Sequence, residues 1–115
     1  MSELQTIDAS DELSYVSLKG RLDIAGVDAV AMPLTVATVT RRKPTIVDMS
    51  AVEFLGSLGI GMLVRCAVSL QRTGARFVLF GCQPMVRKTL ETSKVDAVLP
   101  IADTKDAALA LLHAH

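Results

Sequence analysis

The chain of 115 residues has no tryptophan, one tyrosine and three phenylalanines. So few rings offer little for nucleobases to stack on, and 12 basic against 12 acidic side chains leave no positive excess to follow a phosphate backbone. A direct nucleic-acid partner is therefore not expected. The only cysteines, Cys66 and Cys82, have fifteen residues between them, with no second pair and no histidine at a zinc spacing. They are expected to be reduced, in the cytoplasm, with no metal and no cofactor. The first fourteen residues carry four acidic groups and no basic one, unlike a secretory or transit peptide. From Phe54 to Gln71 the single charge is Arg65, but it sits mid-stretch and Gly56, Gly59 and Gly61 weaken the front half, so no membrane span is expected.

What is present is apolar: half of the residues are hydrophobic. A chain of this length buries about two thirds of its unfolded surface, enough for one core. One domain over residues 1–115 is expected. Leu4 to Ile7 reads as a short strand, Asp8 to Asp11 as a turn, and Leu13 to Leu18 as the alternating partner of an opening hairpin that ends at Gly20. Pro33 interrupts the Ala- and Val-rich segment that follows, which predicts a turn and then a helix starting near Pro33. Thr45–Met49 and Arg76–Phe80 are β-branched or aromatic runs too short for helices and read as buried strands.

Between those strands the spacing predicts a helix from Leu58 to about Thr73, with Ser57 as N-cap, Gly74 at a left-handed C-terminal cap, and Leu63, Val64, Ala67, Leu70 and Gln71 on one face. Pro84 suits the first turn of a helix running to Ser93, with Val86, Leu90 and Met85 turned inward. Val98 to Ile101 reads as an edge strand because Pro100 lacks an amide proton. A last helix begins near Asp103 or Thr104 and packs Ala107, Ala108, Leu111 and Leu112. The order gives an α/β sandwich: a mostly parallel sheet with an opening β-hairpin and helices packed against it.

Two segments stand out for function, Gly20-Arg-Leu-Asp23 and the run from Asp48 to Gly59. The second reads as a strand, a six-residue loop and a helix start, with the Ser57 hydroxyl beside unpaired first-turn amides. A phosphate is electrostatically comfortable there, and it would place nearly two negative charges on a surface of Gly56, Leu58 and Gly59. The plainer reading of Ser57 is an N-cap worth about 1 kcal/mol. Asp23 likewise reads as a cap, Asp48 as a carboxylate serving its loop, and Arg41-Arg42-Lys43 as a solvated helix end. There is no G-x-x-x-x-G-K loop, no G-x-S-x-G elbow and no mid-chain histidine to activate a serine, only His113 and His115 near the C-terminus. No catalytic activity is expected.

Taken in this order, the hairpin, Gly20-Arg-Leu-Asp23, the strand ending in Asp48 and Gly56-Ser-Leu-Gly-Ile60 resemble the STAS domain, the fold of bacterial anti-sigma factor antagonists. That resemblance implies a regulatory protein that binds an anti-sigma factor with serine kinase activity. It implies phosphorylation on the serine that falls at Ser57, reversed by a metal-dependent serine phosphatase. It also implies a partner-binding surface of Gly20, Arg21, Asp23, Leu55, Gly56, Ser57, Leu58, Gly59 and Met62. Gly56 stands where the family motif has an aspartate and Leu58 where it has a second serine, so the polar rim that orients a kinase's phosphates is missing. Arg21 stands where many relatives carry an acid. Other functions of the same fold remain open: an accessory or scaffold subunit of a lipid-transport ABC complex or stressosome-like assembly, and a sensor holding a nucleotide phosphate at the Ser57 helix start.

Overall fold

Strand β2 (Ser14–Leu22) sets the pattern of the sheet: Ser14, Val16, Leu18, Gly20 and Leu22 are buried, whereas Tyr15 and Ser17 are half-buried and Lys19 and Arg21 exposed. That two-residue alternation gives one side of the strand to the main core. The computed structural model describes residues 3–9 and 13–112. The predicted turn at Asp8–Asp11 reaches beyond them, as do His113 and His115. Strand β1 (Glu3–Ala9) pairs antiparallel with β2, completing the opening hairpin. Strands β3 (Thr45–Leu55), β4 (Phe77–Phe80) and β5 (Ile101–Ala102) follow in parallel, in the spatial order β1-β2-β3-β4-β5.

Helices α1 (Ile24–Thr35), α2 (Ser57–Gln71) and α3 (Pro84–Thr92) lie on one face. They bury Val30, Leu34, Leu63, Leu70, Val86 and Leu90 against Val16, Leu18, Val47, Met49 and Leu79. Helix α4 (Lys105–Leu112) covers the other face, where Ala108 and Leu112 meet Ile46, Val78 and Phe80. Consecutive β4 residues point to opposite cores, which is why that strand is apolar throughout.

Several boundaries differ from the sequence expectation. Helix α1 begins at Ile24 and runs through Pro33 before a π-helical turn over Val36–Thr40. Pro33 is on the exposed side, where water can take the Ala29 carbonyl left by its missing N–H, while Gly26, Val30 and Leu34 anchor the buried side. Arg41 is not a solvated end: its Nη1 donates to Ser14 Oγ at 2.7 Å, pinning the π-turn to the start of β2.

Strand β3 continues six residues past Met49 in place of the expected loop. Helix α2 buries Met62 and Cys66 where Val64 is half-buried and Gln71 exposed, because the helix sits with Gly59 against β2. Met85 is exposed while Val86 and Leu90 point inward, and α4 buries Ala108 and Leu112 but not Ala107 or Leu111. Gly74 has φ +86°, the predicted left-handed helix end. The edge strand expected at Val98–Ile101 starts later, as β5 at Ile101–Ala102, because Val98 and Leu99 N–H close a turn onto Val95 O; Leu79 N–H donates to Pro100 O at 2.9 Å.

Candidate functional site

The carboxyl ends of β2 and β3 outrun β4: β3 pairs with β4 only over Thr45–Asp48 but with β2 as far as Leu55. Two bulges make this possible. Ser17 faces Asp48 but Lys19 faces Ala51, and Gly20 faces Val52 but Arg21 faces Phe54, so β3 takes an extra residue twice. Gly20 adopts φ +91° at the second bulge, a conformation that costs glycine nothing.

Asp23 closes β2 and caps α1. Its Oδ1 accepts from Gly26 N–H at 2.9 Å, as the plainer sequence reading holds, and its Oδ2 lies 3.7 Å from Arg21 Nε. On β3, Gly56 N–H donates to Leu22 O at 3.1 Å, binding the start of α2 to the end of β2. Gly56, not Ser57, is the N-cap of α2, with extended backbone at φ −91°, ψ 178° and no side chain to cap with. Ser57 is therefore the first helical residue, so α2 starts one residue earlier than expected. Its exposed hydroxyl takes no part in capping, and the amides of Ser57, Leu58 and Gly59 precede the first helical bond, from Ile60 N–H to Gly56 O at 3.0 Å. Such a helix end favours negative charge.

The structure divides the expected surface in two. Gly20, Arg21, Asp23, Gly56, Ser57, Leu58 and Gly59 do gather at this corner, where Leu58 is 49% exposed but Gly20 and Gly59 are buried. Leu55 and Met62 are 4% and 3% exposed and belong to the core beneath it. The phase of α2 explains this: a Cβ on Gly59 would stand 2.9 Å from Leu22 O, so Gly59 faces inward, Met62 follows it one turn later, and Leu58 is turned out. Besides Leu58, the exposed apolar atoms come from two residues that the sequence reading left out of this surface, Ile24 at 70% and Phe54 at 39%. Placing Asp23 as the α1 cap puts Ile24 at the first turn, so that signal was available. Phe54 needed the bulges. Its ring lies under the Arg21 guanidinium, whose carbon is 4.4 Å from the ring centre.

Asp48 stands apart from this corner, facing the α4 side. Its Oδ2 accepts from Tyr15 Oη at 3.1 Å and its Oδ1 from Ser50 N–H at 2.9 Å; it is a hydrogen-bonding carboxylate as read from sequence, but it serves β3 itself because the expected loop is strand. Burial and the Asp48 carboxylate push the Tyr15 phenol above its ordinary pKa. Cys66 and Cys82 are free thiols. Among the described residues no three His, Cys, Asp or Glu side chains are grouped to hold a metal, and no helix is long and apolar enough to cross a membrane.

Comparison with known proteins agrees with this geometry. BtrV of Bordetella bronchiseptica, assigned by its name to the anti-sigma factor antagonists, is 23% identical over 105 residues, which are 91% of this chain and 90% of that protein. The crystal structure of an anti-sigma factor antagonist from Mycobacterium paratuberculosis superposes with a TM-score of 0.87 at 26% identity, covering 99% of this chain and 96% of that one. Bacillus SpoIIAA shares the fold in two states. Its unphosphorylated form gives a TM-score of 0.72 at 21% identity over 96% of this chain and 95% of that one. Its phosphorylated form gives 0.67 at 20% identity over 98% and 100%. The STAS domain model matches residues 5–108, from β1 into α4 and across both segments of the corner, and the chain belongs to the STAS domain family.

Proposed function

We propose that this chain is an anti-sigma factor antagonist, acting without catalysis of its own in the bacterial cytoplasm. It docks an anti-sigma factor that is also a serine kinase through the corner around Ser57. That partner transfers a phosphoryl group to Ser57, and a metal-dependent serine phosphatase hydrolyses it again. The observation that carries the reading is the position of Ser57: first residue of α2, exposed and unused as a cap, flanked in the chain by exposed Leu58 and by Gly56, which abuts the Phe54 ring. The similarity to an anti-sigma factor antagonist over nearly the whole chain, and to a relative solved in both phosphorylation states, supports it.

The physics of the switch is local. Unmodified, the corner offers the partner Ile24, Phe54, Leu58 and the glycine backbone, which desolvate at little expense. A phosphate on Ser57 brings nearly two negative charges and three strongly hydrated acceptor oxygens into that contact. The first-turn amides tolerate the anion, so α2 stays folded and the effect falls on docking. Gly56 and Leu58 leave the serine without polar neighbours in its own motif, so the kinase has to orient its nucleotide phosphates with its own groups.

The test is binding to an anti-sigma factor kinase purified from the same cells. Ser57→Asp is expected to weaken the complex at least tenfold, about 1.4 kcal/mol. Ser57→Ala is expected to bind like the parent chain and, because Ser57 caps nothing, to unfold at the same denaturant midpoint within about 0.5 kcal/mol. Equal affinity of the aspartate variant and the parent chain would overturn the proposal.

A further inference from the structure

Arg21 and Phe54 are direct neighbours across β2 and β3, and the guanidinium carbon lies 4.4 Å from the ring centre. The same ring abuts the residue before Ser57: a Cβ on Gly56 would lie 3.2 Å from Phe54 Cε2 and 3.6 Å from its Cζ. Leu22, which follows Arg21, holds Gly56 N–H at 3.1 Å. One aromatic ring thus carries a cation on its face and the start of α2 at its edge. Paired strands stand about 4.8 Å apart and successive Cα atoms about 3.8 Å. The gap between Arg21 and Ser57 therefore lies within the combined span of an extended arginine and a phosphoserine.

We infer that Arg21 is the internal receptor of a Ser57 phosphate: on modification the guanidinium leaves its long contact with Asp23 and binds the phosphate oxygens while its stem stays against Phe54. This rests on Ser57 being the phosphorylated residue, as proposed above. Asp23 is a competing carboxylate: its Oδ2 meets Arg21 Nε at 3.7 Å, both side chains are about half exposed, and its Oδ1 is committed to Gly26 N–H. A dianion offering a bidentate, charge-assisted pair outcompetes such a contact. Glu53, exposed on β3 beside Phe54, adds a like charge that a bound guanidinium offsets. The consequence is regulatory. In the unmodified chain Arg21 is an exposed cation of the docking corner, and in the phosphorylated chain it is tied up inside it. One modification then adds an anion to the surface and withdraws a cation from it.

The experiment uses the full chain with phosphoserine installed at position 57 and follows the phosphate by 31P NMR across pH. The second pKa of the phosphate is expected to lie about half a unit or more lower in the parent chain than in Arg21→Gln, at least a threefold change in proton affinity. The difference shrinks as salt is added. Arg65→Gln, two turns further along α2 on an exposed side chain, is expected to leave the value where the parent chain has it. Arg21 is exposed on a strand whose buried residues are untouched, and retention of the Tyr15 and Phe80 ring resonances confirms that the variant is folded. Identical titrations for the parent chain and Arg21→Gln would overturn the inference. Because the phosphate is installed chemically, that outcome is separate from failure of the switch itself, which shows as unmodified Ser57 in cells or as binding indifferent to Ser57→Asp.

Discussion

At Gly59 a Cβ would lie 2.7 Å from Leu55 Cδ1, 2.9 Å from Leu22 O and 3.0 Å from Leu22 Cβ. The Leu55 methyl can swing aside, but Leu22 O is backbone at the strand end that also holds Gly56 and cannot yield. Gly59→Ala is expected to destabilise the fold by about 1–3 kcal/mol, and Gly59→Val by more, since a β-branched side chain also restricts the first helical turn. Gly61, two residues on, is the control: its Cβ would meet only Arg65 Nη1, at 3.2 Å, the far end of an exposed side chain. Gly61→Ala is expected to stabilise by up to about 1 kcal/mol through helix propensity, and denaturant melts of the two alanine variants should shift in opposite directions.

The cysteines supply a second residue-scale prediction. Burial pushes the Cys82 thiol up to about 11 from 9.0, and it also raises Cys66, where the hydroxyls of Thr38 and Thr35 pull back. The folded chain holds the Cys82 proton more tightly than the unfolded one. Stability from this thiol is therefore complete below about pH 9 and is lost as pH rises toward 11. Thiol labelling at pH 8 is expected to be slow in the native protein and to accelerate in denaturant, because the thiolate is the reacting form.

At the scale of elements, the sequence was legible wherever one residue type dictates the local backbone. Pro84 starts α3, Gly74 ends α2 with positive φ, and the alternation in β2 marks its buried side. It was not legible where packing overrides the local signal. Pro33 argues against a helix through it, yet Val30 and Leu34 on either side are fully buried and hold α1 together. Since Pro33 faces solvent, Pro33→Ala restores an N–H for Ala29 O without touching the core. It is expected to raise stability by about 1–3 kcal/mol, read as a higher Tm and stronger helical circular dichroism.

The far half of β3 was missed for another reason. Its two bulges put Val52 and Leu55, three residues apart, on the same buried side, so the two-residue period vanishes in the segment that carries the corner. The same displacement exposes Phe54 and sinks Leu55. The order of motifs singles out Ser57, Asp23 and Gly20, which the fold brings to one corner. The division of their apolar neighbours into surface and core depended on the phase of α2, which is set by Gly59 against Leu22 and leaves no mark in the spacing of the helix itself.

At the scale of the whole molecule, α1, α2 and α3 seal one face of the sheet and α4 the other, and the ends of β2 and β3 that project past β4 form the corner proposed for docking. The formal net charge is zero. Long-range steering of a charged partner is therefore weak, and association of the unmodified chain is expected to vary little with salt. Against that neutral background, one phosphate changes the charge of the entire molecule by nearly two units while altering a single corner. The most direct measurement is intact-mass and peptide-mapping spectrometry of the chain purified from its native cells, separating the fraction that co-elutes with a kinase-like ATPase from the fraction that elutes alone. The expected result is a phosphoryl group mapped to Ser57 in the free fraction and an unmodified Ser57 in the bound one. Unmodified Ser57 in both fractions, or equal phosphorylation of the two, would contradict the switch.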